Sequence, residues 1–105
     1  MKNQSVIAKL MRILVKKYSP EKVIIFGSHA WGSPSRDSDL DIFIVKETRK
    51  TLSKRFVEVQ KILHGLHGAL PIEPLVLTPR EVEKRIQLGD PFILKILNEG
   101  RQVYG

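Results

Sequence analysis

Two carboxylates separated by a single residue, Asp39 and Asp41, stand at the start of the apolar run Leu40–Val45. Because side chains alternate between the two faces of a strand, residues two apart project from the same face. Neighbouring carboxylates raise each other's pKa unless a cation lies between them, and oxygen ligands of this kind suit Mg²⁺ or Mn²⁺. The pair therefore predicts a divalent-cation site. The alternative is that Ser38 and Asp39 only cap a turn and that Asp41 is solvated where a strand begins.

A second candidate site precedes this pair. Gly27 and Ser28 directly follow Val23–Phe26, a β-branched and aromatic run that predicts a buried strand. Backbone N–H groups that follow a strand, together with a small hydroxyl, can bind phosphate oxygens. A triphosphate with its Mg²⁺ is the ligand that would use both the Gly-Ser turn and the acidic pair.

The segments around these residues predict alternating helices and strands. Apolar residues recur at helical spacing over Ser5–Tyr18, which predicts an amphipathic helix that Ser19 and Pro20 end. The stretch between Gly27 and Leu40 is rich in Gly, Pro and Ser and has room only for a turn or one helical turn. The remaining predicted elements are a helix from Leu52 to about Leu66 ended by Gly65 or Gly68, a strand Ile72–Leu77, a helix beginning at Pro79, a helix Pro91–Glu99 closed by Gly100, and a short strand Gln102–Tyr104.

Finer details of these elements are also predicted. Pro74 predicts that the strand Ile72–Leu77 either lies at a sheet edge or starts irregularly, since proline cannot donate to a ladder. Thr78 and Asp90 each precede a proline and are expected to cap helices. The second helix is expected to bury Leu52, Phe56, Val59, Leu63 and Leu66, and to expose Lys50, Lys54, Arg55, Glu58 and Lys61. The fold class is α+β with an α/β-like order: a small mixed β-sheet with flanking helices, in one domain over residues 1–105.

Composition narrows the classes of function. The formal charge of +7 implies an anionic ligand or partner, and the absence of cysteine excludes disulfides and thiolate metal sites. Charged residues interrupt every apolar cluster near the N-terminus, so neither a signal peptide nor a membrane span is expected, and we expect a cytoplasmic protein. Direct nucleic-acid binding is disfavoured, because no basic patch interleaved with aromatic residues accompanies the charge. A homo-oligomer is left open.

The segments "GSHAWG" and "SDLDIFIV", five residues apart, resemble the Gly-Ser and Asp-x-Asp signature of the DNA polymerase β-like nucleotidyltransferase superfamily. The chain as a whole is similar to the minimal nucleotidyltransferase (MNT) branch, and its C-terminal segments also look like that branch. The resemblance implies a nucleotidyltransferase fold and transfer of a nucleoside monophosphate, AMP from ATP in particular, to an acceptor hydroxyl. It further implies an antitoxin paired with a HEPN-domain ribonuclease toxin, on which it adenylylates a tyrosine.

The resemblance also implies roles for particular residues. Gly27 and Ser28 would bind the β and γ phosphates, and Asp39 and Asp41 would coordinate Mg²⁺. Glu73, on the following strand, would be the third carboxylate, which joins the metal site and helps to deprotonate the acceptor. Ser38 and Arg36, between the two motifs, are further candidate phosphate ligands, although a solvated loop charge is the simpler interpretation of Arg36.

Two positions depart from the family pattern. Glu73 stands where Asp is usual and is one methylene longer, which leaves open a non-catalytic module that binds nucleotide or caps its partner. Trp31 stands where Arg is frequent, so one cationic contact is missing. We expect Trp31 to pack beneath the sheet, with stacking on a base as the alternative.

Four further residues carry simpler interpretations. His64 and His67 are expected to be helix-end residues rather than metal ligands. His29 is expected at the surface or at a helix start, with contact to a triphosphate as the alternative. Lys46 is expected to be a solvated charge, with a phosphate contact as the alternative.

Overall fold

The structure, a computed structural model, describes residues 2–32, 38–66, 68 and 70–105. Its elements in chain order are α1 (Lys2–Tyr18), β1 (Lys22–Phe26), α2 (Ser28–Trp31), β2 (Leu40–Val45), α3 (Leu52–Leu63), β3 (Ile72–Leu77), α4 (Pro79–Gln87), α5 (Pro91–Glu99) and β4 (Arg101–Tyr104).

The four strands form one mixed sheet in the order β3–β2–β1–β4. β1 runs antiparallel to both β2 and β4, whereas β2 and β3 run parallel to each other. β3 is an edge strand, as Pro74 predicted, and the α+β fold class with its mixed sheet and flanking helices is confirmed. In the part of the chain described above, no helix is both long and apolar enough to cross a membrane.

Helices cover both faces of the sheet, because the strands are apolar on both sides. On one face, Val23 and Ile25 of β1 share a core with α1, α3 and alternate residues of β2. On the other face, Ile24 and Phe26 of β1 and Phe43 of β2 share a core with α5. Since side chains alternate along a strand, Asp41 belongs to the same face as Phe43. The acidic residue thus lies on the face that α5 covers.

Side-chain caps fix where the later helices begin. Thr78 forms a capping box with Glu81: its hydroxyl accepts from the Glu81 amide at 3.2 Å, and the Glu81 carboxylate accepts from the Thr78 amide at 2.7 Å. The Asp90 carboxylate accepts from the amides of Phe92 and Ile93 at the start of α5. Both predicted caps are confirmed. They satisfy amides in the first turns of α4 and α5, respectively.

The predicted buried face of α3 is wrong in part. Leu52 and Phe56 are 52% and 37% exposed, whereas Arg55, which was assigned to the solvated face, is only 5% exposed. The guanidinium of Arg55 donates to the carbonyl of Val76 at 3.0 Å and to the carboxylate of Glu81 at 2.7 Å. These bonds satisfy the arginine inside the protein and turn α3 so that its first apolar residues face outward.

The ends of several elements also differ from the prediction. α3 ends at Leu63, so Leu66 lies in the following turn, while Gly65 adopts a left-handed φ of 76° just beyond the helix, as expected of a residue that ends it. α1 begins at Lys2, three residues earlier than expected. β4 begins at Arg101, and all four of its residues are exposed because it forms the free edge beside β1.

Candidate active site

The candidate residues come from three neighbouring chain segments that meet at one end of the sheet. Phe26, the last residue of β1, pairs in register with Asp41 of β2, and Asp41 in turn pairs with Glu73 of β3. Gly27 follows Phe26 directly and begins the turn into α2. Asp39 precedes β2 and is exposed. The sheet therefore places the Gly-Ser turn and the acidic positions next to one another.

Gly27 lies against the carboxylate of Asp41. Its backbone has φ 76° and ψ −153°, a conformation that is essentially restricted to glycine. A Cβ at this position would stand 2.3 Å from Oδ2 of Asp41 and 3.2 Å from its Cγ. The Gly27 carbonyl accepts from the amides of Ala30 and Trp31, which folds the chain into the single turn of α2. The predicted single helical turn is confirmed, and the Gly27 backbone packs so closely against the Asp41 carboxylate that only glycine fits at this position.

The charges of the neighbouring acidic residues act on the Asp41 carboxyl. Burial raises the pKa of the Asp41 carboxyl above its ordinary value, and the charges of Asp39 and Glu73 raise it further. The charge of His29 acts in the opposite direction and lowers that pKa. A cation placed among these carboxylates would remove the repulsion, which is the physical reason that such an arrangement favours cation binding.

The donor set fits a hard divalent cation that is shared with another ligand. Asp39, Asp41 and Glu73 offer only oxygen atoms, which Mg²⁺ and Mn²⁺ prefer. Within the described residues, no three His, Asp or Glu side chains are already gathered closely enough to hold an ion by themselves. Mg²⁺ usually keeps several waters and takes one or two carboxylates plus phosphate oxygens, so an incomplete protein ligand set is compatible with a site that a phosphate completes.

The other residues singled out in the sequence are distributed over α2, the segment before β2 and the end of α3. Ser28 is the first residue of α2. Ser38 is half-buried, and its carbonyl accepts from Nε2 of His29 at 3.4 Å, which ties α2 to the segment before β2. His29 thus lies at a helix start, as expected. Arg36 and His67 lie outside the described residues, and His64 is the residue that ends α3, as expected.

Lys46 lies away from these residues. It follows Val45, which pairs with Lys22 at the opposite end of β1 from Phe26. Its ammonium donates to the carbonyl of Tyr18 and lies 4.6 Å from the centre of the Tyr18 ring. Lys46 is therefore neither a solvated charge nor a phosphate contact. It anchors the end of α1 to the sheet.

Trp31 is not packed beneath the sheet, so that expectation is wrong. It ends α2, is 36% exposed, and lies with its ring 6.2 Å from the ring of Phe26. The ammonium of Lys95, on α5, lies 4.7 Å from the centre of the Trp31 ring. Sequence reasoning missed Lys95 because nothing in the pattern of α5 separates this lysine from an ordinary surface residue.

Two comparisons with known proteins found matches for this chain. Residues 8–105 match the family "Polymerase beta, Nucleotidyltransferase". The fold is similar to a crystal structure of a protein from Sulfolobus solfataricus assigned as a nucleotidyltransferase, with a TM-score of 0.60 and 22% sequence identity, over 79% of this chain and 73% of that chain. No match was found among curated proteins.

Proposed function

Since this chain belongs to the polymerase β nucleotidyltransferase family, we propose that it transfers a nucleoside monophosphate, AMP from ATP in particular, to an acceptor hydroxyl with Mg²⁺ or Mn²⁺. The observation that carries the proposal is the meeting of Gly27, Asp41 and Glu73 at one end of the sheet, with Asp41 too close to residue 27 for any side chain there. Backbone amides of a glycine-containing turn can bind the oxygens of a triphosphate, and carboxylates can hold the accompanying cation.

Each residue has a part in this proposal. The backbone at Gly27 and Ser28, with the Ser28 hydroxyl, binds the terminal phosphates, and Ser38 and Arg36 are candidates for further phosphate contacts. Asp39 and Asp41 hold the divalent cation, which when bound neutralises charge on the phosphates and on the leaving pyrophosphate.

Glu73 is the proposed general base for the acceptor hydroxyl. Glu73 is exposed and pairs in register with Asp41, which supports a position on the solvent side of the proposed phosphates. It accepts the proton of the acceptor hydroxyl as that oxygen bonds to the α-phosphorus. The bond from this phosphorus to the pyrophosphate oxygen then breaks, and pyrophosphate leaves.

The acceptor in this proposal is supplied by a second protein. The described helices pack on the sheet or on each other, so the described chain offers no separate acceptor-binding unit. The similarity to the MNT branch makes a HEPN-domain toxin the proposed partner, a tyrosine on it the proposed acceptor, and this chain its antitoxin. We expect both proteins in the cytoplasm, where ATP and Mg²⁺ are abundant.

The test is transfer of label from α-labelled ATP. The purified chain is incubated with Mg²⁺, labelled ATP and the protein encoded beside it, and labelled protein is detected after electrophoresis. We expect labelling that requires all three components and disappears in Asp39→Asn plus Asp41→Asn. Glu47→Gln, a charge change at an exposed residue near the opposite end of β2, is the matched control and should label normally.

Two other outcomes have distinct meanings. Labelling that survives the double substitution would refute the roles of Asp39 and Asp41. Mg²⁺-dependent ATP binding by calorimetry without any transfer would instead identify the chain as a nucleotide-binding module that has lost catalysis.

A further inference from the structure

We propose that Lys95 is a phosphate-binding residue of the nucleotide site and that Trp31 holds its ammonium near the Gly-Ser turn until a phosphate binds. This inference rests on the proposed function, because it assigns Lys95 to the triphosphate of the same nucleotide. It adds to the site a residue from α5, an element that carries none of the motif residues, and it gives Trp31 a role other than packing.

Trp31 connects the lysine to the helical turn that begins at the Gly-Ser motif. Trp31 is the last residue of α2 and Ser28 is the first, and the Gly32 amide donates to the Ser28 carbonyl at 3.2 Å, which closes the turn. Residues three apart on a helix lie on one face, separated by about 4.5 Å along its axis. The Lys95 ammonium therefore lies over the side chain of a residue one helical turn along from Ser28, and the flexible stem of lysine allows it to move toward the Gly-Ser turn.

An aromatic cluster fixes α5 at this distance. Phe26 contacts Trp31 on one side and Phe92 of α5 on the other, the latter edge-to-face with ring centres 5.6 Å apart. Phe92 and Lys95 are one turn apart on α5, so the residue that locks the helix and the residue that carries the charge share a face. Phe26 is also the register partner of Asp41. Through Phe26, the cluster therefore connects β2 next to Asp41, α2 at Trp31, and the α5 helix that carries Lys95.

The charge of Lys95 is available to a ligand. None of the described ion pairs uses Lys95, which is exposed, and its contact with the Trp31 ring is of a kind that is weak in water. The described groups whose charges act on Asp41 are Asp39, Glu73 and His29, so the charge of Lys95 is not used to neutralise the acidic positions. A phosphate oxygen bound at Ser28 would give this ammonium a stronger partner than the ring, because both groups would be charged.

The inference has a distinctive consequence for affinity. Lys95 should contribute to binding of the terminal phosphates and not to binding of the nucleoside. A stacking role for Trp31 would have the opposite signature, since it would act on the base and leave inorganic phosphates unaffected.

The experiment compares three ligands by isothermal titration calorimetry in the presence of Mg²⁺: ATP, inorganic tripolyphosphate and adenosine. The proteins are the unchanged chain, Lys95→Gln, Lys95→Arg and the control Lys61→Gln, which removes the same charge from an exposed position on α3, across the sheet. We expect Lys95→Gln to weaken ATP and tripolyphosphate by about tenfold, Lys61→Gln to change them less than about twofold, and Lys95→Arg to retain most of the affinity.

Tryptophan fluorescence can monitor the contact between Lys95 and Trp31 directly, because Trp31 is the one tryptophan in the sequence. Tripolyphosphate should draw Lys95 from the ring and change the Trp31 emission of the unchanged chain, whereas Lys95→Gln should show no such change at saturating ligand. Since residue 95 is exposed, each variant should fold, and thermal melting verifies it.

The failures are distinguishable. If the unchanged chain binds neither ATP nor tripolyphosphate, the proposed function itself falls. If it binds both but Lys95→Gln and Lys61→Gln behave alike, only the role of Lys95 is overturned. An equal loss of affinity for adenosine and ATP would likewise overturn it, because that loss would belong to the base.

Discussion

The α-carbon of Gly27 and the carboxylate of Asp41 are so close that a Cβ on residue 27 would stand 2.3 Å from Oδ2 of Asp41. The two residues belong to different strand ends, and the antiparallel pairing of Phe26 with Asp41 brings them together. Glycine at 27 therefore does two things at once: it permits the backbone turn into α2, and it allows that backbone to approach closely a carboxylate that is proposed to hold the cation.

Gly27→Ala is expected to lose both properties. The added Cβ must push the Asp41 carboxylate aside, and alanine is strained at a φ of 76° with a ψ of −153°. We expect a loss of about 2–3 kcal/mol in the free energy of unfolding, from the strained backbone together with the clash. Urea unfolding followed by circular dichroism measures this loss, and calorimetry should show that Mg²⁺-dependent ATP binding falls below detection.

Gly65→Ala is the matched control for that substitution. Gly65 has the same φ of 76°, but a Cβ there would meet nothing within 4 Å. Its cost should be the backbone strain alone, about 1–2 kcal/mol, with ATP binding unchanged. Equal losses of ATP binding in the two variants would show that the contact between residue 27 and Asp41 is unimportant.

Much of this arrangement could be predicted from local pattern. β2 and β3 have the predicted bounds, because each is a short apolar run between polar or turn residues, and the alternation within β2 correctly put Asp41 on the face opposite Ile42. The caps at Thr78 and Asp90 were predictable because the side chain and the amides that it binds are neighbours in sequence.

Contacts between distant segments could not be predicted in this way. Helical periodicity predicts that a charged residue faces solvent, so Arg55 was expected to be exposed. It is buried instead, because it binds Val76 and Glu81, which belong to a distant part of the chain. Trp31 was expected inside for the opposite reason, because large aromatic residues are usually buried. The lysine that lies over its ring comes from α5, and only the packing of α5 against β1 brings the two together.

Arg55→Met is expected to destabilise the protein strongly. The substitution keeps the apolar stem but leaves the buried Val76 carbonyl and the Lys50 carbonyl without their guanidinium donor. We expect a loss of roughly 2–4 kcal/mol in the free energy of unfolding, measured in urea. Arg85→Met is the control: Arg85 pairs with Asp90 at the surface, so its loss should stay below about 1 kcal/mol. Comparable losses in both variants would mean that burial of Arg55 does not matter.

Acid should weaken the protein partly through Glu81. The hydrogen bond from Arg55 holds the pKa of the Glu81 carboxyl below its ordinary value of 4.5. A carboxylate with a lowered pKa in the folded state contributes stability above its unfolded pKa and loses it as the pH falls through the folded pKa. Urea unfolding between pH 7 and about pH 3 should therefore show a smaller acid-induced loss in Arg55→Met than in the unchanged chain. Parallel pH profiles would assign the acid sensitivity to other carboxylates.

Glu73 should affect transfer more than nucleotide binding. In the proposed reaction it accepts the acceptor's proton, and removing a general base typically costs about 10²–10⁴-fold in rate. Glu73→Gln should therefore slow transfer by a factor in that range while ATP affinity changes little, as single-turnover labelling and calorimetry would measure. Glu73→Asp keeps the carboxylate and should retain most of the rate. Normal transfer by Glu73→Gln would remove this residue from the reaction.

Asp41→Asn should stabilise the protein while it removes function. Burial and the charges of Asp39 and Glu73 raise the pKa of Asp41, so ionising this carboxyl costs more free energy in the folded state than in the unfolded state. Without divalent cations at pH 7, the variant should gain about 0.2–1 kcal/mol in the free energy of unfolding, a modest value because solvent screens these charges. The sign follows from linkage: a raised carboxyl pKa costs stability above the folded pKa, and the cost disappears as the pH falls below the unfolded value.

Added Mg²⁺ should reverse this order of stability. A ligand that binds only the folded state stabilises it, so millimolar Mg²⁺ with ATP should raise the melting temperature of the unchanged chain and leave Asp41→Asn unaffected. Asp90→Asn should have the opposite effect on stability. The pKa of Asp90 is lowered, mainly by its hydrogen bond from Arg85, so this substitution should destabilise the protein. If Asp41→Asn were instead destabilising like Asp90→Asn, the carboxylate would be a structural cap rather than a repelled anion, and the proposed cation site would lose its physical basis.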